Sequence, residues 1–244
     1  MVQNLSSVFP MSKTPFRFKQ FSIRQENSAM KVGTDGVLLG AWAEALYAKR
    51  ILDIGTGTGL ISLMLAQRFT NAEITGIEID ELASKEASFN VAKSPFSKKC
   101  TIINTSLQHY NPSQSFDFII SNPPFFEFTN RSKSARNNAR QQSELSFEEL
   151  LFHTQRLLMK NGHCAFIIPY SAENSFIQHA KDCGLFPERI LHIKGHEKAL
   201  FKRSLLQFSF LQKEVETSTL TIELERNVYT NEYIQLTKDF YLKM

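Results

Sequence analysis

Cysteine is scarce in this chain. There are three, Cys100, Cys164 and Cys183, at no short spacing. That leaves neither a disulfide framework nor a paired-cysteine zinc pattern, and it suits a reducing cytoplasm. Cys164 sits in the apolar run Cys164–Ile168 and reads as core, not as a nucleophile. No window reaches the ~18 uninterrupted apolar residues of a membrane span, and no charged-then-apolar leader opens the chain. Internal repeats and low-complexity tracts are lacking. So is a dominant charge: 28 Lys and Arg stand against 24 Asp and Glu, a net of +4. Placement of charge therefore matters more than its total. The expectation is a soluble cytoplasmic protein without a metal site, a monomer or weak dimer. His192 and His196, four apart with no further ligands, read as a surface pair.

Phenylalanine, by contrast, is abundant, with 21 copies in 244 residues. Most must be core, and the excess is available to stack on bases. At 42% hydrophobic, a chain this long can bury roughly 70–75% of its unfolded surface. That fits one large α/β domain or one with a small appendage.

Residues 1–15 are polar and Pro-containing and read as a leader. Phe16 to Ile23 alternates like a half-exposed strand, with one slip at Gln20-Phe21 and with Arg17 and Lys19 on one face. Thr34 or Asp35 is placed to cap a helix from about Val37 to Tyr47, with Leu38, Leu39, Trp42 and Leu46 as its core stripe. Strands are then expected near 50–54, 72–79, 100–104, 116–121 and 162–169, and helices near 60–69, 81–93, 147–159 and 173–183. Such alternation builds a parallel sheet with helices on both faces. Leu185–Lys194 and Leu205–Gln212 read as a closing antiparallel pair joined by a basic loop. Thr219–Glu225 offers one more strand, Asn231–Tyr241 a final helix, and Glu214–Ser218 a short linker. The implied organisation is a packed N-terminal segment (1–48), a catalytic core (49–213) and a strand-helix extension (214–244).

Two stretches dominate this frame. Asp53-Ile54-Gly55-Thr56-Gly57-Thr58-Gly59 follows a buried strand and opens a helix. Glycines at i, i+2 and i+4 let backbone approach a ligand, and the helix offers free N–H groups. The dinucleotide pattern G-x-G-x-x-G fails, because Leu60 stands three after Gly57. A ligand without a pyrophosphate at the turn is favoured, and S-adenosylmethionine is one. Glu78 ends the next strand, about 20 residues on, where a carboxylate can accept both ribose hydroxyls. Asp53 holds either the loop or the methionine amine, and Asp80 caps the next helix.

The second stretch is Ser121-Asn122-Pro123-Pro124-Phe125, after the apolar run Phe116–Ile120. An exocyclic amine on adenine is a poor nucleophile, its lone pair being delocalised into the ring. The Asn122 side-chain oxygen and the Pro123 carbonyl can accept its two hydrogens and aim the lone pair. Pro123-Pro124 stiffens the backbone, and Phe125 stacks on the ring. A base inside a nucleic acid must be splayed out to reach such a pocket. Arg131, Lys133, Arg136 and Arg140 follow without an acid between Phe128 and Ser143. Lys194, His196, Lys198, Lys202 and Arg203 form a second basic cluster, broken only by Glu197. Arg131, Lys133, Arg136, Arg140, Lys198, Lys202 and Arg203 are the candidate phosphate contacts.

Asp-Ile-Gly-Thr-Gly-Thr-Gly together with Asn-Pro-Pro-Phe resembles the class I S-adenosylmethionine-dependent methyltransferases that methylate amines. Phe18-Lys19-Gln20-Phe21, the stretch from Met30 to Trp42, Ala135-Arg136-Asn137-Asn138-Ala139-Arg140 and Phe240-Tyr241-Leu242-Lys243-Met244 resemble the bacterial N6-adenine methyltransferases of valine tRNA. The resemblance covers nearly the whole chain. It implies an α/β, Rossmann-like fold with a mostly parallel seven-stranded sheet, helices on both faces and a closing antiparallel pair. It further implies methyl transfer to N6 of adenine 37 in a valine tRNA anticodon stem-loop. Gly55, Thr56, Gly57 and Gly59 would hold the methionine end of the cofactor, Glu78 its ribose, and Lys31 and Thr34 further parts. Ser106 stands where the family usually has an Asp at the cofactor adenine. Three rival readings share parts of this pattern. A release-factor glutamine methyltransferase has the same motif pair, but a larger helical domain ahead of the turn. A ribosomal RNA or DNA amino-methyltransferase is another, though a DNA enzyme usually needs a further recognition domain. The last is an RNA-binding module without catalysis.

Overall fold

Ile51, Leu52, Asp53 and Ile54 are buried at four consecutive positions, as a strand covered on both faces requires. The computed structural model, which describes residues 14–28, 30–124 and 145–244, puts that strand inside a sheet. Two short strands, β1 (Phe16–Arg17) and β2 (Ser22–Ile23), precede helix α1 (Thr34–Trp42). Then come β3 (Arg50–Ile54), α2 (Leu60–Arg68), β4 (Glu73–Glu78), α3 (Glu81–Ala92), β5 (Cys100–Asn104) and β6 (Phe116–Ser121). Beyond residue 145 follow α4 (Phe147–Leu157), β7 (Leu158–Pro169), α5 (Glu173–Asp182), β8 (Phe186–His196) and β9 (Arg203–Ser209). The chain continues with β10 (Glu216–Glu225), β11 (Val228–Tyr229) and α6 (Asn231–Thr237).

The main sheet has the order β11-β10-β8-β9-β7-β6-β3-β4-β5. Strands β7, β6, β3, β4 and β5 are all parallel. Only β9 is reversed within the central seven, antiparallel to both β7 and β8. Among the described residues the sheet has nine strands, the seven expected with β10 and β11 added at one edge. The outer edge of β8 is covered by β10, which runs parallel to it, and β11 turns back on β10. Alternation along each strand splits the core. Ile51, Phe118, Ile120 and Leu205 pack on the face with α1 and α2, while Leu52, Ile54, Ile119 and Leu206 pack on the face with α4 and α5. Cys164 is fully buried in the second face, and burial pushes its thiol pKa far up. No helix among the described residues is long and apolar enough to cross a membrane.

Local departures have local causes. Phe16–Ile23 is not one strand but a hairpin, because Phe18 N–H closes on the Phe21 carbonyl at 2.8 Å. The slip in alternation marked the turn. Lys19 thereby reaches the Lys238 carbonyl at 2.5 Å, and Phe18 bridges Tyr241. Helix α1 starts at Thr34, with Gly33 as its N-cap and no side-chain cap bond, so neither Thr34 nor Asp35 caps it. It stops at Ala43, whose ψ of 137° leaves the helical range, and Leu46 is 68% exposed rather than core. The last helix likewise ends at Thr237, short of Tyr241, and the expected linker is partly strand, since β10 begins at Glu216.

Candidate active site

The two sequence stretches leave the sheet side by side. Ile54 at the end of β3 stands opposite Ile77 of β4 and Ser121 of β6. Ser121 Oγ donates to the Ile54 carbonyl at 2.9 Å, which locks the two strand ends together. Both loops thus begin at the C-terminal edge of the parallel strands, where crevices of α/β sheets form.

The turn after β3 is held from inside. Gly55, Gly57 and Gly59 have φ of +68°, +55° and +81°, conformations that a Cβ disfavours. Gly55 and Thr56 donate to the Ile77 carbonyl at 2.9 and 3.0 Å, and Gly57 N–H donates to Glu78 Oε2 at 2.9 Å. Asp53 is fully buried. Its Oδ2 accepts from Thr56 Oγ1 at 2.7 Å, Ser62 Oγ at 2.7 Å and Ser62 N–H at 3.1 Å. Burial drives its carboxyl up to about 6, against the hydrogen bonds from Thr56 and Ser62. Of the two roles expected of Asp53, this geometry serves the loop.

At the next strand end, Glu78 Oε1 accepts from Asp80 N–H at 3.0 Å, and Asp80 caps α3 by accepting from Ala83 N–H at 2.7 Å. Asn104 Nδ2 donates to the Glu78 and Ile79 carbonyls at 2.9 and 3.1 Å, which fixes this corner. Ile79 keeps 62% of its surface open beside it. Ser106 Oγ shares a hydrogen bond with His109 Nδ1 at 2.9 Å. Lys31 and Thr34 are exposed ahead of and at the start of α1.

A further segment lies against the Gly-rich turn. Glu86, fully buried on α3, accepts from the N–H groups of Glu26 (2.7 Å), Asn27 (3.1 Å) and Ser28 (3.0 Å). Asn90, one turn on, accepts from Arg24 N–H at 2.9 Å and donates to the Arg24 and Thr58 carbonyls at 2.8 and 2.9 Å. One amide thus ties residues 24–28 to the turn itself, and a Cβ on Gly57 would lie 3.6 Å from Ser28 Oγ. The segment leads to Met30, whose Sδ accepts from Asn122 Nδ2 at 3.4 Å. Sequence reading missed Glu86, Met30 and Ile79. Glu86 left a signal, a carboxylate inside the inward stripe Ala83, Ala87, Asn90, Val91 at helical spacing.

Asn122, like Asp53 with its Oδ1, is only half engaged. Its Nδ2 is engaged by Met30, and its Oδ1 is buried with no hydrogen-bond partner among the described residues. Pro123 is buried and Pro124 exposed. Phe125 and the first basic run, Arg131, Lys133, Arg136 and Arg140, lie outside the described residues. The second basic cluster comes to the same edge, because Pro169 pairs with Arg203 and Ile193 pairs with Arg203 across β9. Lys198 and Lys202 are exposed there. Arg203 turns part of its guanidinium inward, with Nε 2.7 Å from Asp35 Oδ2 in the first turn of α1. His192 is not the surface residue expected. Its Nε2 meets Glu173 Oε2 at 2.8 Å, with 16% of its side chain exposed. A hollow of about 650 Å³ among Lys49, Arg50, Gln114, Asp117 and Lys160 sits at the opposite edge, away from both loops.

This set fits S-adenosylmethionine. A Cβ at Gly55 would meet nothing within 4 Å, so the turn opens a cradle. Glu78 offers carboxylate lone pairs at a strand end, and Ile79 offers an apolar face for a ring. The methyltransferase small domain family matches residues 28–169. A protein of Flavobacterium johnsoniae named tRNA1(Val) (adenine(37)-N6)-methyltransferase is 46% identical over 234 residues, covering 94% of this chain and all of that one. One of the same name from Bacteroides fragilis is 43% identical, covering 96% of this chain and all of that one. Among solved structures, a predicted O-methyltransferase from Agrobacterium tumefaciens superposes with a TM-score of 0.67 at 17% identity, over 84% of this chain and 96% of that one. That likeness shows the class I methyltransferase fold. The chain is an S-adenosylmethionine-dependent methyltransferase of the methyltransferase small domain family, and it belongs to the branch whose members are named tRNA1(Val) (adenine(37)-N6)-methyltransferase.

Proposed function

We propose that the protein methylates N6 of adenine 37 in the anticodon loop of a valine tRNA, acting in the cytoplasm as a monomer or weak dimer. The observation that carries this reading is Asn122. Its buried amide oxygen, without a partner among the described residues, stands just past the end of β6 at the crevice, where an incoming donor can pair with it. Met30 engages the amide nitrogen, so the oxygen is the end left for the substrate.

The cofactor, when bound, supplies an electrophilic methyl group on a sulfonium. Gly55, Thr56, Gly57 and Gly59 would line its methionine end, Glu78 its ribose, and Ser106, Lys31 and Thr34 its surroundings, with Asp53 holding the turn. Asn122 Oδ1 and the Pro123 carbonyl accept the two amine hydrogens of adenine. They draw the nitrogen toward tetrahedral geometry and direct its lone pair. Pro123 and Pro124 restrict the backbone so that both acceptors are preset, and Phe125 stacks on the ring. Proximity and alignment supply the remainder. As the N–C bond forms, the sulfonium S–CH3 bond would break and leave a neutral thioether, and the cationic nitrogen would release its proton to solvent, so no strong base is needed. Arg131, Lys133, Arg136, Arg140, Lys198, Lys202 and Arg203 would meet the phosphates.

The test is methyl transfer from labelled S-adenosylmethionine to unmodified valine tRNA, ribosomal RNA and a release factor in parallel, with nucleosides identified by mass spectrometry. N6-methyladenosine in the tRNA alone is the expected result. Label in the release factor, or in ribosomal RNA only, would overturn it.

A further inference from the structure

Three rings meet at the same edge of the sheet, outside both loops. Tyr170 follows the end of β7, His192 lies on β8, and Phe201 stands in the β8–β9 connection. Their centroids lie 5.1 Å apart for Tyr170 and His192, and 5.2 Å for each ring against Phe201. The imidazole is fixed from beneath. Glu173 Oε2 hydrogen-bonds His192 Nε2 at 2.8 Å, and the same oxygen accepts from the Ser204 hydroxyl. A buried carboxylate is costly under an apolar plug, but it holds a polar ring in one orientation. Tyr170 keeps 39% of its surface open, and neighbouring Leu200 keeps 82%.

The same connection is rich in cations. The connection carries Lys194, Lys198, Lys202 and Arg203 against one acid, Glu197. The exposed Tyr170 ring, with His192 edge-on to it at 88° and Phe201 tilted at 49°, beside a lysine-bearing connection suits unpaired bases, which stack on aromatics while their phosphates meet cations. A protein partner would favour a broader apolar surround. Ser121 stands opposite Phe166, so Tyr170 lies one strand over and three residues beyond the level of Asn122. Strand spacing and rise put the two roughly 11 Å apart. A target base extruded to Asn122 leaves a disrupted stack behind it, and the strand needs a second hold nearby.

We infer that Tyr170, His192 and Phe201 form a stacking platform for an unpaired nucleotide flanking the target base. This rests on the reading of the substrate as tRNA. The test uses the valine anticodon stem-loop with 2-aminopurine at one loop position at a time, which loses fluorescence when stacked. The wild type should quench one position flanking adenine 37. Tyr170→Ala should abolish that quench and raise KM for the RNA about ten- to a hundredfold, with kcat and cofactor Kd unchanged. Tyr170→Trp should restore both, which a merely structural role would not do. Should Tyr170→Ala not fold, Phe201→Leu keeps apolar bulk, removes a ring and must give the same losses. RNA bound without any quench, or a Tyr170→Ala variant with wild-type quench and KM, overturns the platform. Quench without N6-methyladenosine leaves the platform standing and overturns the proposed reaction. Absence of RNA binding by the wild type overturns both.

Discussion

The two loops that flank Ile54 and Ser121 are finished differently. Around the Gly-rich turn, most polar groups of the protein answer one another: Asp53 Oδ2 takes three donors, Glu78 takes two backbone N–H groups, and Glu86 takes three more, while Asp53 Oδ1 and Glu26 Oε1 stay buried and unmet among the described residues. Six residues on from Phe116, Asn122 is left with a buried oxygen that nothing among the described residues meets. One side is preset before any ligand arrives, so little ordering remains to be done on binding. The other side is incomplete by itself, and its missing partner is a hydrogen-bond donor. A cofactor recurs in every turnover, whereas the substrate must be discriminated. An unpaired acceptor discriminates strongly, because it penalises any ligand that lacks the matching N–H.

Removing the open acceptor gives the largest expected effect. Asn122→Ala should lower turnover at least about a hundredfold while cofactor Kd and melting temperature hold steady. Calorimetric titration beside single-turnover transfer checks it, and a parallel loss of cofactor binding would merge the two sides into one. Next in size is Glu86→Ala, which strands three backbone N–H groups. The expected cost is about 2–3 kcal/mol of stability, with cofactor Kd weakened about tenfold and kcat at saturation near wild type. A wild-type Kd would show that residues 24–28 do not matter to the turn.

Asp53 sharpens the comparison through pH. Its folded pKa is raised from 3.8 to about 6 by burial, so its contribution to stability is fully present below 3.8 and is lost as pH rises through about 6. The difference in unfolding free energy between wild type and Asp53→Asn should therefore fall against the wild type over that window and stay flat above it. Parallel curves would deny the shift. The smallest effect belongs to the basic run. Arg136→Ala with Arg140→Ala should weaken tRNA binding and reduce its salt slope by about 1 per residue that contacts phosphate. An unchanged slope would remove both from the interface.

Much of this was readable in the chain. Alternation and helical spacing located β3 to β6 and α2 to α5 to within a few residues, because each buries a regular face. Asp80 was readable as a cap because its bond is local, three residues long. Glu86 was not, since its partners lie 58 to 60 residues away and donate through backbone, which no side-chain pattern records. The start of α1 was misplaced for a related reason. Gly33 caps it without a side chain, so the usual signal is missing. Strands β1, β2 and β11 are two residues each, too short to show a period. The site divides along the same line. Gly55, Gly57, Gly59, Glu78 and Asn122 stand at strand ends that the sequence exposes, while Met30 meets Asn122 across 92 residues.

The clasp of Lys19 on Lys238 spans 219 residues, and the hairpin that bears Lys19 leads directly into residues 24–28. On a chain emerging from the ribosome, Phe96, Glu86 and Asn90 are made early enough to meet Phe21 and residues 24–28, but Lys19 finds its carbonyl only once residue 238 has been made. Domains form from the N-terminal side during synthesis, yet here one contact of an early segment must wait for a late one. Nascent chains stalled short of residue 238 should leave Arg17 and Lys19 more open to trypsin than chains that include it, and equal cleavage would deny the clasp. The contact that closes the hairpin thus joins two segments far apart in the chain and forms late.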